Sequence, residues 1–351
     1  MNAIVSIIAF LGYAAAHSAV WTIEFDGTIY PARDARMDAQ LGAKRVEWTY
    51  MNNIGTSGKP EPWQAINNVL DPGITCGIDP KPPALKAVAR AGSDIAIHWS
   101  GIIRMHNGPV LSYLGELPTP DTKPQDVAFF KIKGDGFNKA QKKWANEEVL
   151  DNNRTDIVKI PSDIKPGMYI FRTEMLALHG NSPSLPPSFA GPQFYTHCFN
   201  VEITGNGTVK PEGVKFPGAY QPNDAGVKFF LGQKETWENY PVPGPPVYAG
   251  RYDAPSGSPP VVPREATGVF PGEFQKKYEA YKAKQDKFAL EANDKFNELN
   301  APHGIANAGN FVSTATSFGS FLMKHNQESK ELENELQTLR REAIKLGIAA
   351  V

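Results

Sequence analysis

The sequence is poor in cysteine, lacks any imbalance of charge and contains no long apolar run. Its 351 residues include two cysteines, Cys76 and Cys198, which form neither a C-x-x-C redox pair nor a zinc-binding cluster. The 36 basic and 37 acidic side chains leave a formal net charge of -1, so no overall field draws the protein to nucleic acid or to an anionic membrane. Its ligands must therefore be recognised by local sites.

The first residues have the pattern of a secretory signal peptide. An apolar run over 3–11 is followed by three alanines, 14–16, the small residues that typically precede a cleavage site. The run is too short for a transmembrane helix, which takes about 20 residues. Because the segment lacks the usual basic start, a membrane anchor or a buried strand is the alternative. We expect secretion into the extracellular space, removal of residues 1–16 and a mature chain that begins at His17.

Export has consequences for the cysteines and for two surface motifs. In an oxidising compartment Cys76 and Cys198 would pair, and closing so long a loop would stabilise the fold by roughly 4 to 5 kcal/mol. Asn153 and Asn206 each begin an N-x-T sequence, which is the acceptor pattern for N-glycosylation. Both asparagines are candidate glycosylation sites in a eukaryotic source.

Short β-type segments dominate the chain from His17 to about Tyr240. Runs such as "SDIAIHWSGIIRM" and "QFYTHCFNVEITG" are separated by Gly, Pro, Asn and Asp, with little helical periodicity. Many short strands with turn signals at modest intervals are typical of a β-sandwich or a barrel. We therefore expect an all-β core in a single domain.

A proline-rich segment, 241–263, separates this region from a helical one, since it can neither join a sheet ladder internally nor form a helix. Two helices are predicted beyond this segment, and Pro302 ends the first of them. The apolar face of the first contains Phe274, Tyr278, Tyr281, Phe288, Phe296 and Leu299. The heptad seam of the second contains Leu332, Leu336, Leu339, Ala343 and Leu346. We expect an antiparallel hairpin, or a helix pair that docks on a partner protein or on a second copy of this chain.

A terminal histidine would give the chain an unusual metal ligand. If cleavage exposes His17, its α-amino group and its imidazole can chelate one metal ion. A third nitrogen from another histidine would complete a nitrogen-rich set that favours copper over zinc. His106, just before an Asn-Gly turn at the exposed end of a strand, is the best-placed candidate, whereas His98 is expected inside the fold or on a sheet face. His303 and His325, in the helical region, are expected to be solvated.

Strand alternation sorts the side chains of "QFYTHC" onto two faces. Gln193, Tyr195 and His197 share one face, and Phe194 and Cys198 share the other. We expect Cys198 to face the core and Tyr195 to lie on the outer side. There the tyrosine oxygen could approach an axial copper position, and the glutamine amide could donate a hydrogen bond beside it.

Taken together, these features resemble the auxiliary activity family 9 lytic polysaccharide monooxygenases, secreted fungal copper enzymes formerly classed as glycoside hydrolase family 61. The resemblance covers essentially residues 17–247. It rests on His17 after the cleavage signal and on five ordered motifs, "HNGPVLSYL" (106–114), "IPSDIKPGMYIFRTEMLALH" (160–179), "GPQFYTHCFNVEITGNG" (191–207), "FPGAY" (216–220) and "NYPVPGP" (239–245).

The resemblance implies a role for each matching residue. His17 and His106 would hold one copper ion as a histidine brace, with Tyr195 in the axial position. His179 and Gln193 would hydrogen-bond the oxygen co-substrate, and Tyr240 would stack on the glucan chain. The implied fold is an immunoglobulin-like or fibronectin-like β-sandwich with a flat copper-bearing face.

The chain also departs from the family pattern. His197 replaces the more usual glutamine, and we expect it to be an outward-facing strand residue. The segment after His17 matches the pattern only loosely. The predicted boundaries are a signal peptide at 1–16, a monooxygenase domain at 17–247, a linker at 248–267 and a helical extension of unassigned role at 268–351.

The predicted function is copper-dependent oxidative cleavage of β-1,4-glucan, in cellulose or a related polysaccharide, with an external electron donor and O₂ or H₂O₂. The alternative is a non-catalytic protein that binds copper or cell-wall glucan. His179, Gln193 and Tyr195 favour catalysis, because copper storage has no use for groups that handle oxygen. A hydrolase is a third possibility, but no carboxylate pair stands out by its spacing.

Overall fold

The computed structural model describes residues 18–34, 38, 43–51, 65–100, 106–183, 185, 190–300 and 311–347. These residues divide into two compact units. The larger lies within residues 18–269, and the smaller contains the described residues from 270 onward together with Asp38 and Ala43. The predicted signal peptide and His17 lie outside the described residues.

In the part of the chain that the structure describes, the larger unit contains two large sheets and two small ribbons. The strands are β1 (Ala19–Phe25), β2 (Thr28–Pro31), β3 (Thr49–Met51), β4 (Ile78–Lys81), β5 (Ala87–Arg90), β6 (Asp94–Ser100), β7 (Val110–Glu116), β8 (Phe129–Asp135), β9 (Phe137–Asn138), β10 (Lys143–Trp144), β11 (Thr155–Lys159), β12 (Gly167–Ala177) and β13 (Gln193–Thr204). One sheet has the order β11-β6-β1-β2, and the other has the order β5-β13-β12-β7-β8. The pairs β3-β4 and β9-β10 form small ribbons, and a short helix, α1 (Ala145–Asp151), follows β10.

Every second side chain along the strands points inward and fills the space between the two large sheets. In β6, Ile95, Ile97 and Trp99 are at most 3% exposed, whereas their neighbours are half-buried or exposed. They pack in one apolar cluster with side chains of β1 and of the facing strands β12 and β13, including Phe171 and Phe199. This period of two is what a strand with one core face requires. The predicted β-sandwich core is confirmed.

A second apolar cluster covers the opposite face of the five-stranded sheet. It includes Phe194 and Cys198 of β13 and residues of loops that cross that face, such as Ile74, Phe216 and Tyr220. The larger sheet is therefore buried on both sides. Cys76 and Cys198 form a disulfide that ties one of these loops to β13.

The prediction that Tyr195 lies on an outer side is wrong. Tyr195 and Cys198 do face opposite ways, as the alternation requires, but Tyr195 is only 4% exposed and belongs to the cluster between the sheets. The error arises because the strand was assumed to have one solvated face. Loops from distant parts of the chain cover the face that Cys198 occupies.

The proline-rich segment is anchored to the larger unit rather than extended free of it. Tyr248 donates its backbone N–H to the carbonyl of Lys131 at 2.7 Å, and Ser162 donates to the carbonyl of Arg251 at 2.8 Å. At Gly92, where φ is +84°, an added Cβ would lie 2.3 Å from the carbonyl oxygen of Asp253. The chain therefore stays packed on the sandwich well beyond residue 247.

Among the described residues, the smaller unit contains two long helices, α2 (Gly272–Asn300) and α3 (Phe311–Lys345). Their apolar faces pack together through a cluster that contains Phe270, Phe274, Tyr278, Tyr281, Leu336, Leu339 and Ala343. Leu346 lies beyond the end of α3 and is exposed. Pro302 and His303 lie outside the described residues. No helix in the described part of the chain is long and apolar enough to cross a membrane.

His325 of α3 differs from its prediction. It is half-buried rather than solvated, with its ring stacked on Phe288 at 3.7 Å between centroids and next to Phe321 at 5.1 Å. Burial lowers the pKa of its imidazole. His325 is therefore part of the apolar contact between the two helices.

Candidate metal centre

A bend at His106, shortly before β7, places this residue at the end of the larger sheet. The backbone that follows lies against the end of β12, because Leu178 donates to the carbonyl of Asn107 at 3.0 Å. A Cβ at Gly108 would lie 1.8 Å from the carbonyl oxygen of Leu176, so only glycine allows this approach. His106 is 8% exposed. The structure has a bend at His106 and no regular turn over 107–109, and the histidine is buried rather than at the exposed strand end that the sequence predicts.

His179 lies beside His106. It follows β12 by two residues and begins a short 3₁₀ turn, His179–Asn181. The centroids of the His106 and His179 rings are 4.2 Å apart, with an angle of 58° between the ring planes. Two imidazoles are therefore in contact at one end of the sheet.

Gln193 and Tyr195 reach the same place from the neighbouring strand. The pairing of β12 with β13 sets Ala177 opposite Gln193, so the start of β13 lies beside the end of β12. The Tyr195 hydroxyl donates a hydrogen bond to Gln193 Oε1 at 2.8 Å. The ring centroid of Tyr195 lies 6.0 Å from that of His106. Four of the five residues predicted for the centre are thus brought together.

The start of β1 is held next to this group. Val20 donates its backbone N–H to Nε2 of His197 at 3.4 Å. His197 lies two residues beyond Tyr195 on the same face of β13. Because Val20 is three residues from His17, the expected new terminus lies close in the chain to this contact. His17 itself is outside the described residues.

His197 is not the outward-facing strand residue that the sequence predicts. It is 3% exposed, and its Nδ1 lies 2.6 Å from Oε1 of Glu47, which is 1% exposed. The ring meets Trp99 edge-on at 5.4 Å between centroids. Sequence reasoning missed Glu47 altogether. The only available signal was that His197 shares a face with Tyr195.

The donor set fits copper better than it fits a metal that prefers carboxylate or thiolate ligands. Within the described ranges no group of three or more His, Cys, Asp or Glu side chains is placed to hold a metal ion. What they offer is one imidazole, from His106, and one phenol, from Tyr195, beside a second imidazole. Imidazole ligands suit copper, and the amine and ring of His17 would complete a nitrogen-rich set.

Tyr240 is less open than a stacking platform would be. Its ring is half-buried against Trp144 at 4.9 Å and Phe229 at 5.0 Å between centroids. Its hydroxyl donates to the carbonyl of Gly226 at 2.7 Å, and burial raises the pKa of this phenol well above its ordinary value. Only part of the ring remains accessible to a ligand.

The two predicted glycosylation sites are accessible. Asn153 is exposed in the turn after α1, where it adopts a left-handed backbone conformation with φ of 51°. Asn206 is exposed just after the end of β13. Either side chain could accept a glycan without disturbing the sandwich core.

A buried charged network lies on the opposite face of the same sheet, and sequence reasoning missed it. Arg172 donates to Glu174 at 2.7 Å, and Tyr220 donates to the other oxygen of Glu174. The hydroxyl of Tyr220 lies 2.6 Å from that of Tyr113. Lys131 donates to the carbonyl of Pro243 at 2.7 Å, and burial lowers its pKa to about 8. These ion-pair and hydrogen-bond partners hold the charged groups inside an otherwise apolar cluster, although Arg172 Nη1 has no hydrogen-bond partner among the described residues.

Comparison with known proteins gives a consistent result. The model of the family described as "Auxiliary Activity family 9 (formerly GH61)" matches residues 17–240. The AA9 family lytic polysaccharide monooxygenase A of Geotrichum candidum is 34% identical over 249 residues, which are 69% of this chain and 80% of that protein.

Solved structures agree with the sequence matches. The extended catalytic domain of LPMO9A from H. jecorina is similar with a TM-score of 0.57 and 27% identity, over 70% of this chain and 97% of that one. A cellulose-active polysaccharide monooxygenase from M. thermophila is similar with a TM-score of 0.55 and 26% identity, over 67% of this chain and 100% of that one.

Proposed function

This chain belongs to auxiliary activity family 9, the lytic polysaccharide monooxygenases, which are copper-dependent oxidoreductases, and from that premise we propose that it oxidatively cleaves β-1,4-glucan chains. The observation that carries the proposal is the meeting of His106, His179, Gln193 and Tyr195 at one end of the sheet. A protein that only stored copper would need the ligands alone. The hydrogen-bonded pair of Gln193 and Tyr195 beside them supports catalysis.

His17 and His106 are the proposed residues that would hold one copper ion, and the phenol of Tyr195 would lie beside it. Bound copper would supply the one-electron chemistry that activates O₂ or H₂O₂ with electrons from an external donor. The backbone after His106 is held by the close approach of Gly108 to Leu176, and the His106 ring packs against that of His179. Such fixed orientation is what a reactive metal centre requires of its ligands.

Gln193 and His179 are the proposed groups that position the oxygen co-substrate. Because Gln193 Oε1 accepts the hydrogen bond from Tyr195, the amide nitrogen of Gln193 is turned away from that contact and can donate elsewhere. His179 is half-buried, so its ring can reach a small molecule beside His106. The two side chains can thus donate hydrogen bonds, and His179 can hold or deliver a proton.

Cellulose is the proposed substrate, since the structurally similar protein from M. thermophila is described as cellulose-active. The accessible part of the Tyr240 ring is the proposed contact with a glucose ring of the chain. An extended polymer cannot enter a deep pocket, so a site at the end of a sheet suits it. The fold of this domain is proposed to be immunoglobulin-like or fibronectin-like in its detailed topology.

The family is secreted and acts on polysaccharides. We assign residues 1–16 to a signal peptide, 17–247 to the monooxygenase domain, 248–267 to the connecting segment and 268–351 to a helical extension. The heptad seam of this extension is occupied inside the hairpin, where Leu336 and Leu339 are at most 5% exposed. Binding of a partner by the extension would therefore use its outer faces.

The test uses the mature protein that begins at His17, loaded with copper and incubated with ascorbate and cellulose. Mass spectrometry of the soluble sugars should show aldonic acids or 4-keto sugars, and these should disappear in His106→Ala. His98→Ala is the matched control, because His98 is a half-buried strand histidine that bonds to Thr155. Copper binding without any oxidised sugar would overturn the catalytic proposal in favour of copper or glucan binding.

A further inference from the structure

His197 and Glu47 form a buried hydrogen-bonded pair that also binds two further segments of the chain. Nδ1 of His197 lies 2.6 Å from one carboxylate oxygen of Glu47. The other oxygen of Glu47 accepts the backbone N–H of Arg33 at 2.5 Å. Nε2 of His197 accepts the backbone N–H of Val20. The pair thus joins β13, the start of β1 and the chain that follows β2.

The hydrogen bonds define the tautomer of His197. A backbone N–H can only donate, so Nε2 must present its lone pair to Val20. The proton of the neutral ring is therefore on Nδ1, where it is donated to the carboxylate of Glu47. A carboxylate that fixes the tautomer and the orientation of an imidazole is the usual way to make its other nitrogen a defined partner.

Backbone pairing explains why Glu47 is correctly placed for this. Trp48 donates to the carbonyl of Cys198, and Asn200 donates to the carbonyl of Val46, both at 2.9 Å. This antiparallel bridge sets Glu47 opposite Phe199, so its side chain points to the same face as Phe199 and His197. The carboxylate is held by the backbone rather than by its own rotamer alone.

The start of β1 is irregular at the point where His197 meets it. The register between β1 and β6 shifts between Val20 and Thr22. Such a shift turns the chain and leaves a backbone group away from the regular ladder. The N–H of Val20 bonds to the His197 ring, and Trp99, the β6 partner of Val20, packs edge-on against the same ring. Ser18 and Ala19, the residues before this point, are 4% and 1% exposed.

We infer that His197, fixed by Glu47, is a positioning residue that anchors residues 18–20 and so orients the amino end of His17 for copper. The inference rests on the proposed function, because it requires His17 to be the mature terminus. Removal of the anchor would release the start of β1 and increase the number of orientations open to the terminal amine. Copper would then have to restrict them on binding, which weakens its affinity.

Three variants of the full mature chain test the inference. His197→Ala removes the acceptor for Val20, and copper(II) affinity measured by calorimetry should fall at least tenfold, with an altered copper(II) EPR spectrum. His197→Gln should restore affinity to within about twofold, since its amide oxygen can accept from Val20 while its amide nitrogen donates to Glu47. His98→Gln is the matched control and should leave both readouts unchanged.

Unfolding of the copper-free protein in urea separates a positioning role from a structural one. If His197→Ala loses stability but binds copper(II) with the wild-type affinity and spectrum, the inference is wrong. If the wild type itself binds no copper(II), the proposed function fails instead. Should His197→Ala not fold, the double variant His197→Phe with Glu47→Met keeps an aromatic ring against Trp99 and removes both polar partners. Its affinity is then read in the same way.

Discussion

At the scale of single residues, the hydroxyl of Tyr195 controls the direction in which Gln193 points. The hydroxyl donates to Oε1 of Gln193 at 2.8 Å, and both side chains lie beside His106. The amide side chain of glutamine has a carbonyl oxygen that accepts hydrogen bonds and an NH2 group that donates them. Because Tyr195 donates to the carbonyl oxygen of Gln193, the NH2 group can donate at the site.

Tyr195→Phe should therefore separate copper binding from oxidation. We expect copper(II) affinity to stay within about threefold, because nitrogen ligands supply most of it. We expect the yield of oxidised sugars to fall roughly tenfold, because Gln193 loses the partner that orients it. Both are measured on the mature protein, by calorimetry and by mass spectrometry.

Tyr169→Phe is the control, since Tyr169 is also buried and donates its hydroxyl to a backbone carbonyl, that of Lys165. It lies near the other end of β12. An equal loss of product in the two variants would show that a missing buried hydroxyl, rather than the orientation of Gln193, is responsible.

Lys131 makes a second residue-scale prediction, about pH. Burial lowers its pKa from the ordinary 10.5 to about 8, so the folded protein releases this proton at a lower pH than the unfolded chain. Stability contributed through this group is therefore low below pH 8 and rises between about pH 8 and 10.5. Relative to Lys131→Met, the free energy of unfolding of the wild type should rise by about 2 kcal/mol between pH 7.5 and 9.5.

Urea denaturation of the two proteins at several pH values measures the difference. The range stops at pH 9.5 because tyrosines begin to ionise in the unfolded state near pH 10, and burial raises the pKa of Tyr113 in the folded state. Curves for wild type and variant that run parallel across this range would contradict the prediction.

Residue types, spacing and the resemblance to the family together indicated the candidate residues, four of which the structure brings together. A histidine after a predicted cleavage signal, His106 beside Asn-Gly and the alternation of side chains in β13 are visible in the chain, whereas His179 was indicated by the resemblance alone. Glu47 was not predictable. Its carboxylate matters only because residues 46–48 pair with β13, and no local pattern in the sequence indicates that pairing.

At the scale of elements, β13 shows that alternation predicts which side chains share a face but not which face is exposed. Alternation correctly assigned Tyr195 and Cys198 to opposite faces, because the period of two is a property of the strand itself. Which face meets solvent depends on other segments. Here Ile66 pairs with Phe194 in the backbone, and Phe216 and Tyr220 cover the face of Cys198. Both faces of the strand are buried as a result.

The two helices and their apolar faces were predictable from periodicity, since the contacts join residues that repeat along each helix. Tyr278 and Tyr281 of α2 and Leu336 and Leu339 of α3 meet in one cluster, as their spacing requires. The partner for the heptad seam could not be predicted, because the same seam fits α2 or a second chain. Within the described residues the seam packs against α2.

Tyr278→Ala should selectively destabilise this hairpin. Tyr278 is 1% exposed and packs edge-on against Phe270 at 5.2 Å between centroids, so its removal leaves a cavity that costs about 3 kcal/mol. Hydrogen exchange should accelerate at the amides of α3 and not at those of β12, because the two elements belong to different apolar clusters.

Met323→Ala provides the control, because Met323 lies on α3 with 72% of its surface exposed. Its exchange rates should match those of the wild type. Acceleration in β12 as well as in α3 on truncation of Tyr278 would show that the clusters do not unfold independently.

At the scale of the whole molecule, the similarity to the family extends over the sandwich and ends before the proline-rich segment and the helices. The family model matches residues 17–240, and the chain stays packed on the sandwich beyond that point through Tyr248 and Arg251. Proline content predicted the absence of regular structure there. It could not predict attachment, because that depends on the carbonyls and N–H groups of residues far away in the chain.

The disulfide between Cys76 and Cys198 makes the last prediction, which concerns global stability. It closes a loop of 122 residues, and in the chain-entropy model such a crosslink stabilises the folded state by about 4 to 5 kcal/mol. Replacing both cysteines with alanine should lower the free energy of unfolding by an amount of this size, measured by urea denaturation.

Copper binding gives this double variant a second, independent readout. Cys198 belongs to the apolar cluster on the far face of the sheet, whereas Tyr195 faces the space between the sheets. The copper affinity of the folded fraction should therefore stay within about twofold of the wild type at a low temperature where the variant is folded. A large loss of affinity together with unchanged stability would reverse both expectations, and would mean that the crosslink acts on the metal centre rather than on the unfolded chain.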